Sequence, residues 1–190
     1  MSSHHIVREN QEPALFIANP NCLVDEYLNQ LLEWSPTIIT LAEHYESLKA
    51  REIKIDVVLD NLGLESNMLE EHIALIPYSG SYIEPLFAYL EEKNNFAVNI
   101  LTEKLEINPY LPYLSDFNIN LIKNEGRTLF VKKYEKWLPK GFNLFVEHYE
   151  GKLGETQNLK ALENNVYTVV NDGFVSIPQQ ESYFIISEEL

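Results

Sequence analysis

Short β-branched runs alternate with amphipathic stretches up to about residue 124, and strands follow one another without helices after it. This predicts an α/β domain over residues 1–124 and a small antiparallel all-β domain over 125–190. The repeated strand–helix–strand order predicts a mostly parallel sheet flanked by helices in the first domain. The change falls near Asn124-Glu125-Gly126, without a flexible Gly/Ser linker, internal repeat or low-complexity tract.

Each element has a local reason. Ala14–Asn19 is an apolar strand stopped by the Asn19-Pro20-Asn21 turn. Leu23 to Trp34 places Leu23, Tyr27, Leu28, Leu31, Leu32 and Trp34 on or near one helical stripe, which Ser35-Pro36 breaks. The strand Thr37–Leu41, a helix over about Glu43 to Arg51 and the strand Ile53–Asp60 follow, then a helix near Glu65 to Ala74 and a weak strand Ala74–Tyr78. Ser81, with Glu84 three residues on, has capping-box spacing for a helix Tyr82–Lys93. Phe96–Leu101 and Asn118–Ile122 are strands, separated by a short helix over Asn108–Phe117 that Pro109 and Pro112 break. In the tail, Thr128–Val131, Asn143–Val146, Val166–Val170, Phe174–Ile177 and Tyr183–Ile186 are strands, with Asn171-Asp172-Gly173 predicted as a hairpin turn.

The 190 residues, 45% hydrophobic, suffice for one packed core or two small ones. A net charge of −15 opposes nucleic-acid binding, which needs a basic face to displace counterions from phosphates. The one basic cluster, Lys132, Lys133, Lys136 and Lys140, would divide between two faces of a strand, with Tyr134 and Trp137 packed as core. No apolar run approaches the roughly 20 residues that span a bilayer, and Met1 to Glu12 is polar, so a soluble cytoplasmic protein is expected. The single Cys22 excludes an internal disulfide and a cysteine-based zinc cluster.

No glycine spacing makes a phosphate loop, no GxSxG elbow is present, and His4, His5, His44, His72 and His148 lack HExxH spacing. His4-His5 reads as an N-terminal pair without a metal role, and His44 stands at a solvated helix start. Asp60 ends an apolar strand at the carboxyl edge of the predicted sheet, where open α/β sheets bind ligands. There it either holds Mg²⁺ and, through it, a polyphosphate, or caps the next turn.

The run from Trp34-Ser35-Pro36 through Ile53–Asp60 resembles the first half of thiamine pyrophosphokinases, particularly their bacterial forms. Lys136-Trp137-Leu138-Pro139-Lys140-Gly141, Asn171-Asp172-Gly173 and the closing strand resemble the C-terminal β domain of that family, in matching order over most of the chain. The resemblance implies transfer of pyrophosphate from ATP to the thiamine hydroxyl with Mg²⁺, in homodimers whose active sites lie between subunits. It assigns Asp60 as a catalytic and magnesium-binding residue and matches Asp56 to the aspartate ahead of that motif. Trp137 would either stack on a thiamine-like ring or, as core packing favours, bury a strand end.

The departures from the family pattern fall on its carboxylates. Its aspartate-glycine pair after the second strand reads Ala42-Glu43 here, and its Gly-Asp-Phe-Asp-Ser motif reads Leu59-Asp60-Asn61-Leu62-Gly63. The Thr-Asp pair opening the next helix reads Ser81-Tyr82, and Thr102–Ile107 replaces its Gly-Arg-x-Asp-His segment. The Ser-Asn pair of its thiamine site has no clear equivalent around Glu155 to Asn165. Pyrophosphoryl transfer is mostly positioning and charge neutralisation, so losing these ligands should slow it about a thousandfold or more. Glu43, Glu65 and Glu70 are simply solvated helix residues on their spacing.

Three readings follow. The chain is a degenerate family member binding a thiamine-like or nucleotide-like ligand or a protein partner, an active kinase using Mg²⁺ and ATP, or an unrelated interaction module.

Overall fold

A computed structural model describes residues 12–34, 36–104, 106–124, 126–148 and 155–189. His4, His5, Arg8, Gly151 and Gly154 lie outside the described residues. The chain divides into two compact units between Ile122 and Lys123.

The first unit is built on β1 Ala14–Ile17, β2 Ile38–Leu41, β3 Val57–Asp60, β4 Ala74–Pro77, β5 Ala97–Leu101 and β6 Asn118–Lys123. They lie in the order β4-β3-β2-β1-β5-β6, and every neighbouring pair is parallel. Every residue of β1, β2 and β3 is buried, which is why their sequences are apolar without alternation. Successive side chains face opposite ways. Leu15 and Ile17 meet α1 (Asp25–Leu32) and α2 (Tyr45–Ala50) through Leu28, Tyr45 and Leu48. Phe16 points to the other side, where its ring lies 5.2 Å from that of Tyr82. There α3 (Ile83–Glu92) buries Leu86, Phe87 and Leu90, and Phe87 stacks on Tyr113 at 4.0 Å and meets Phe117 edge-on at 4.9 Å.

Two expectations fail locally in this unit. The segment 65–74 forms no helix but a 3-10 turn, Ser66–Met68, followed by β4. Its Leu69 and Ile73 pack on the core while Glu65, Ser66, Asn67, Met68, Glu70 and Glu71 are exposed. Two apolar contacts do not supply the packed face that stabilises a short helix. β3 starts at Val57 rather than Ile53, because the end of α2 uses the preceding residues. The Glu52 amide donates to Lys49 O at 2.9 Å and the Ile53 amide to Leu48 O at 3.2 Å, with Glu52 at φ +59°. Between Asn108 and Tyr113 the chain is a 3-10 helix holding Pro112.

The second unit contains β7 Gly126–Val131, β8 Tyr134–Leu138, β9 Asn143–His148, β10 Leu159–Ala161, β11 Val166–Val169, β12 Gly173–Ile177 and β13 Phe184–Glu188. An antiparallel sheet runs β10-β11-β9-β13-β7, and β8 pairs with β12. Both sheets share one core, in which Tyr134, Leu138, Val175 and Ile177 meet Leu144, Val146, Phe184 and Ile186.

Three expectations are corrected here. Asn171-Asp172-Gly173 is not a hairpin, because β11 pairs with β9 and β10 while β12 pairs with β8. It is a corner between sheets. The Asn158 amide fixes it by donating to Asn171 O at 2.7 Å and accepting the Asn171 amide at 2.9 Å, while the Asp172 carboxylate accepts the Lys140 amide at 2.7 Å. β8 and β10 are additional strands; in β8 the inward row is Tyr134, Lys136 and Leu138, so a charge interrupts the apolar alternation. Trp137 is not core. It is 55% exposed on the outer row, opposite Phe174 at 67% exposed.

Candidate functional site

In the first unit the chain adds strands outward from β1 through β2, β3 and β4, then returns to the other side of β1 with β5. That reversal opens a crevice beyond the carboxyl ends of β1 and β5, the usual ligand position in open α/β sheets. The loop after β1 folds over it, with the Ala18 and Asn19 amides donating to Leu101 O at 3.1 and 3.0 Å. His44 Nε2 lies 3.1 Å from Ala18 O and 3.4 Å from the Glu43 carboxylate.

Beside this crevice, the start of α3 and the segment after β5 enclose a cavity of about 260 Å³ whose wall includes Ser81, Tyr82, Thr102, Lys104, Glu106 and Tyr110. Ser81 Oγ accepts the Ile83 amide at 3.2 Å, and Thr102 Oγ1 accepts the Lys104 amide at 3.1 Å. Tyr82 and Tyr110 come together in this wall. Burial raises the pKa of both phenols; their proximity raises Tyr110 further and lowers Tyr82, and the charge of Glu106 raises both. Tyr78 sits edge-on to Tyr82 at 6.5 Å, and its phenol is raised by burial and by the charges of Glu43 and Asp60.

Asp60 is 4% exposed at the end of β3. Its carboxylate accepts three backbone amides: Leu62 at 2.8 Å, Gly63 at 3.1 Å and Leu64 at 2.9 Å. Three of its roughly four acceptor positions are thus used to hold the loop. Among the described residues, no three His, Cys, Asp or Glu side chains gather to hold a metal ion. The donor set at this edge does not fit Mg²⁺, which needs near-octahedral oxygen coordination.

The other sequence candidates lie apart from Asp60. Asp56 stands at the opposite, amino end of β3, where its carboxylate accepts the Ile38 amide at 2.8 Å beside a cavity of about 470 Å³. At about 3.3 Å per residue, roughly 13 Å of strand separates it from Asp60. Trp137 belongs to the second unit. Arg51 reaches Pro20 O at 3.3 Å and pairs with Asp25; Glu65 and Glu70 are exposed, and Glu70 lies 3.7 Å from both Lys49 and His72. Cys22 is buried, and burial followed by the charge of Glu103 pushes its thiol up to about 11, so it is an inert core residue.

Sequence reasoning singles out Ser81-Tyr82 and Thr102–Ile107 as departures but not the Tyr110 partner, which lies in a proline-broken segment without a chemical motif. It also misses a buried cluster in the second unit. Glu188, 4% exposed, accepts Tyr134 Oη and Lys136 Nζ, each at 2.6 Å, and Arg127 Nη2 at 3.0 Å. Burial alone favours the neutral acid. The bonds from Lys136, Tyr134 and Arg127 outweigh it and hold the carboxyl below its ordinary range.

An all-parallel α/β unit followed by an antiparallel β unit is a two-part architecture shared with known kinases of a vitamin. The chain has the fold of the thiamine pyrophosphokinases. It superposes on the Bacillus subtilis enzyme with a TM-score of 0.65 at 10% identity, covering 94% of this chain and 99% of that one. For thiamin pyrophosphokinase from Geobacillus thermodenitrificans the values are 0.66, 8%, 93% and 97%. For the yeast enzyme they are 0.65, 10%, 97% and 88%. No family model and no curated protein matches the sequence. Among the described residues, no helix is long and apolar enough to cross a membrane.

Proposed function

We propose that this chain is a thiamine pyrophosphokinase-like protein that has lost magnesium-dependent pyrophosphoryl transfer and is retained for ligand binding or assembly. The observation that carries this reading is the engagement of Asp60, whose carboxylate holds the 62–64 loop through three amides instead of facing a shared metal site. Leu62 and Tyr82 stand where the resemblance places two further carboxylates, so the ligands that neutralise transferring phosphates are replaced by side chains that cannot do so. In this reading residues 1–124 form the former catalytic domain and 125–190 the former thiamine-binding domain. The protein is a cytoplasmic homodimer whose ligand is thiamine-like or nucleotide-like, with Asp56 and Trp137 as candidate contacts.

The fold match over 93–97% of the chain favours one alternative, an active enzyme using ATP and Mg²⁺. Thiamine diphosphate formation from thiamine and Mg-ATP, at high protein concentration and long incubation, separates the two. No product above that of Asp60→Ala is expected. Product that vanishes in that variant and in Asp60→Asn would establish turnover and sink the degenerate reading.

A further inference from the structure

Glu188 ends β13 directly opposite Arg127 on β7, and the inward row of β8 brings Tyr134 and Lys136 to the same carboxyl group. Tyr134 Oη donates to Oε1, whereas Lys136 Nζ and Arg127 Nη2 both donate to Oε2. Both cationic nitrogens lie within 3.0 Å of that single oxygen, so they are held less than two such lengths from each other. Burial is graded through the cluster. The Glu188 side chain is 5% exposed, and those of Arg127 and Lys136 are 38% and 40% exposed. The carboxylate is thus closed off from water while both cations reach it.

This cluster carries more positive charge than its carboxylate needs. Tyr134 and one cation already supply a donor to each oxygen of Glu188, so the second cation leaves a surplus of one charge. In a chain of net charge −15 that surplus stands out. Among the described residues no other carboxylate pairs with Arg127 or Lys136. Glu135, between Tyr134 and Lys136 in sequence, lies on the outer row of β8 and pairs with Lys133 at 3.0 Å. An ammonium carries three N–H donors and a guanidinium five, so one bond each to Glu188 leaves both cations able to donate again.

We propose that Arg127 and Lys136 together bind the carboxylate of a small organic acid, each cation donating to one of its oxygens while Glu188 stays in place beneath them. The surplus selects for a single negative charge. Attraction to one surplus charge grows in proportion to the ligand's charge, whereas the cost of stripping its water grows as the square. The remaining acidic chain also repels a dianion more strongly. A free acid and the C-terminal end of a peptide present the same group. The inference concerns the second unit alone and holds whether or not the first unit turns over.

The test is an NMR titration of the full chain at pH 7 with sodium acetate, against sodium chloride at matched ionic strength. Acetate should shift the Arg127 Nε–H and the amides of Arg127, Lys136 and Glu188 saturably, and chloride should not. N-acetyl-dialanine should do the same and its C-terminal amide should not; whichever of acetate and the dipeptide acid binds tighter identifies the source. Inorganic phosphate should bind no tighter than acetate. Arg127→Gln and Lys136→Gln each leave Glu188 one cation and Tyr134, and each should weaken acetate about tenfold, the loss of one charge-assisted hydrogen bond. A purely structural cluster would lower the melting temperature in these variants without any acetate curve to move. No saturable acetate shift, identical acetate curves in wild type and both variants, or tighter binding of phosphate overturns the proposal.

Discussion

Asp60 illustrates how one residue satisfies two readings of a sequence and only one geometry. An aspartate ending an apolar strand sits at a ligand-binding edge and at a loop start alike, and its three amide bonds make it the cap of the 62–64 loop. Asp60→Ala is expected to destabilise the protein by about 2 kcal/mol, since water replaces the lost acceptor only for the exposed part of the loop. An unchanged denaturation midpoint would show that the loop does not need the carboxylate. Glu188 is the stronger case, with a side chain 5% exposed among two cations and a phenol. Its carboxyl is held below the ordinary value of 4.5, so its contribution is full above that pH and is lost as the pH falls below it toward the folded value. Thermal melts of wild type and Glu188→Gln between pH 7 and pH 3 should therefore converge toward the acid end. Parallel curves would remove the linkage. The neutral variant should lose about 3 kcal/mol at pH 7, because Lys136 and Arg127 then face each other without an anion.

Strands β1, β2 and β3 are legible from the sequence because burial on both faces leaves apolar runs that no solvent requirement interrupts. β8 is not, because its inward Lys136 obeys a single distant partner, Glu188, rather than the alternation rule. The corner at 171–173 has the residues of a hairpin turn, and only the Asn158 side chain, remote in sequence, makes it a crossing between sheets. Asn158→Ala is expected to cost about 1–2 kcal/mol and to raise hydrogen exchange at Asn171 more than at the centre of β12. Uniform change across β11 and β12 would contradict a local clamp. The pairing of β7 with β13 has a similar non-local condition, since a Cβ on Gly126 would lie 2.1 Å from Glu188 O. Gly126→Ala must push these strands apart and should destabilise by about 2–3 kcal/mol in chemical denaturation, a backbone contact invisible in the sequence. The site was partly legible for the same reason: replaced motif residues stand out individually, whereas the meeting of Tyr82 and Tyr110 in one cavity wall depends on the fold bringing two segments together.

Over the whole chain, 29 acidic residues against 14 basic ones make the charge distribution a test of the metal question. Several of the basic residues are already paired locally, as in Arg51 with Asp25, Arg127 and Lys136 with Glu188, and Lys133 with Glu135. The surplus carboxylates repel one another over distances that salt shortens, with a Debye length of about 10 Å at 0.1 M. Sodium chloride should therefore raise the melting temperature of this protein by a few degrees between low and moderate ionic strength, against the small loss from exposed ion pairs. Divalent cations will stabilise it too, which is why a magnesium effect alone proves nothing about a site. A site adds binding energy that saturates and selects between ions, whereas screening follows ionic strength. Melts in Mg²⁺, Ca²⁺ and Na⁺ at matched ionic strength, with and without ATP, are expected to separate divalent from monovalent salts slightly and Mg²⁺ from Ca²⁺ not at all. A saturating increment specific to Mg²⁺, enlarged by ATP, would mean that carboxylates assemble around a metal after all, and the retired-site reading would fall with it.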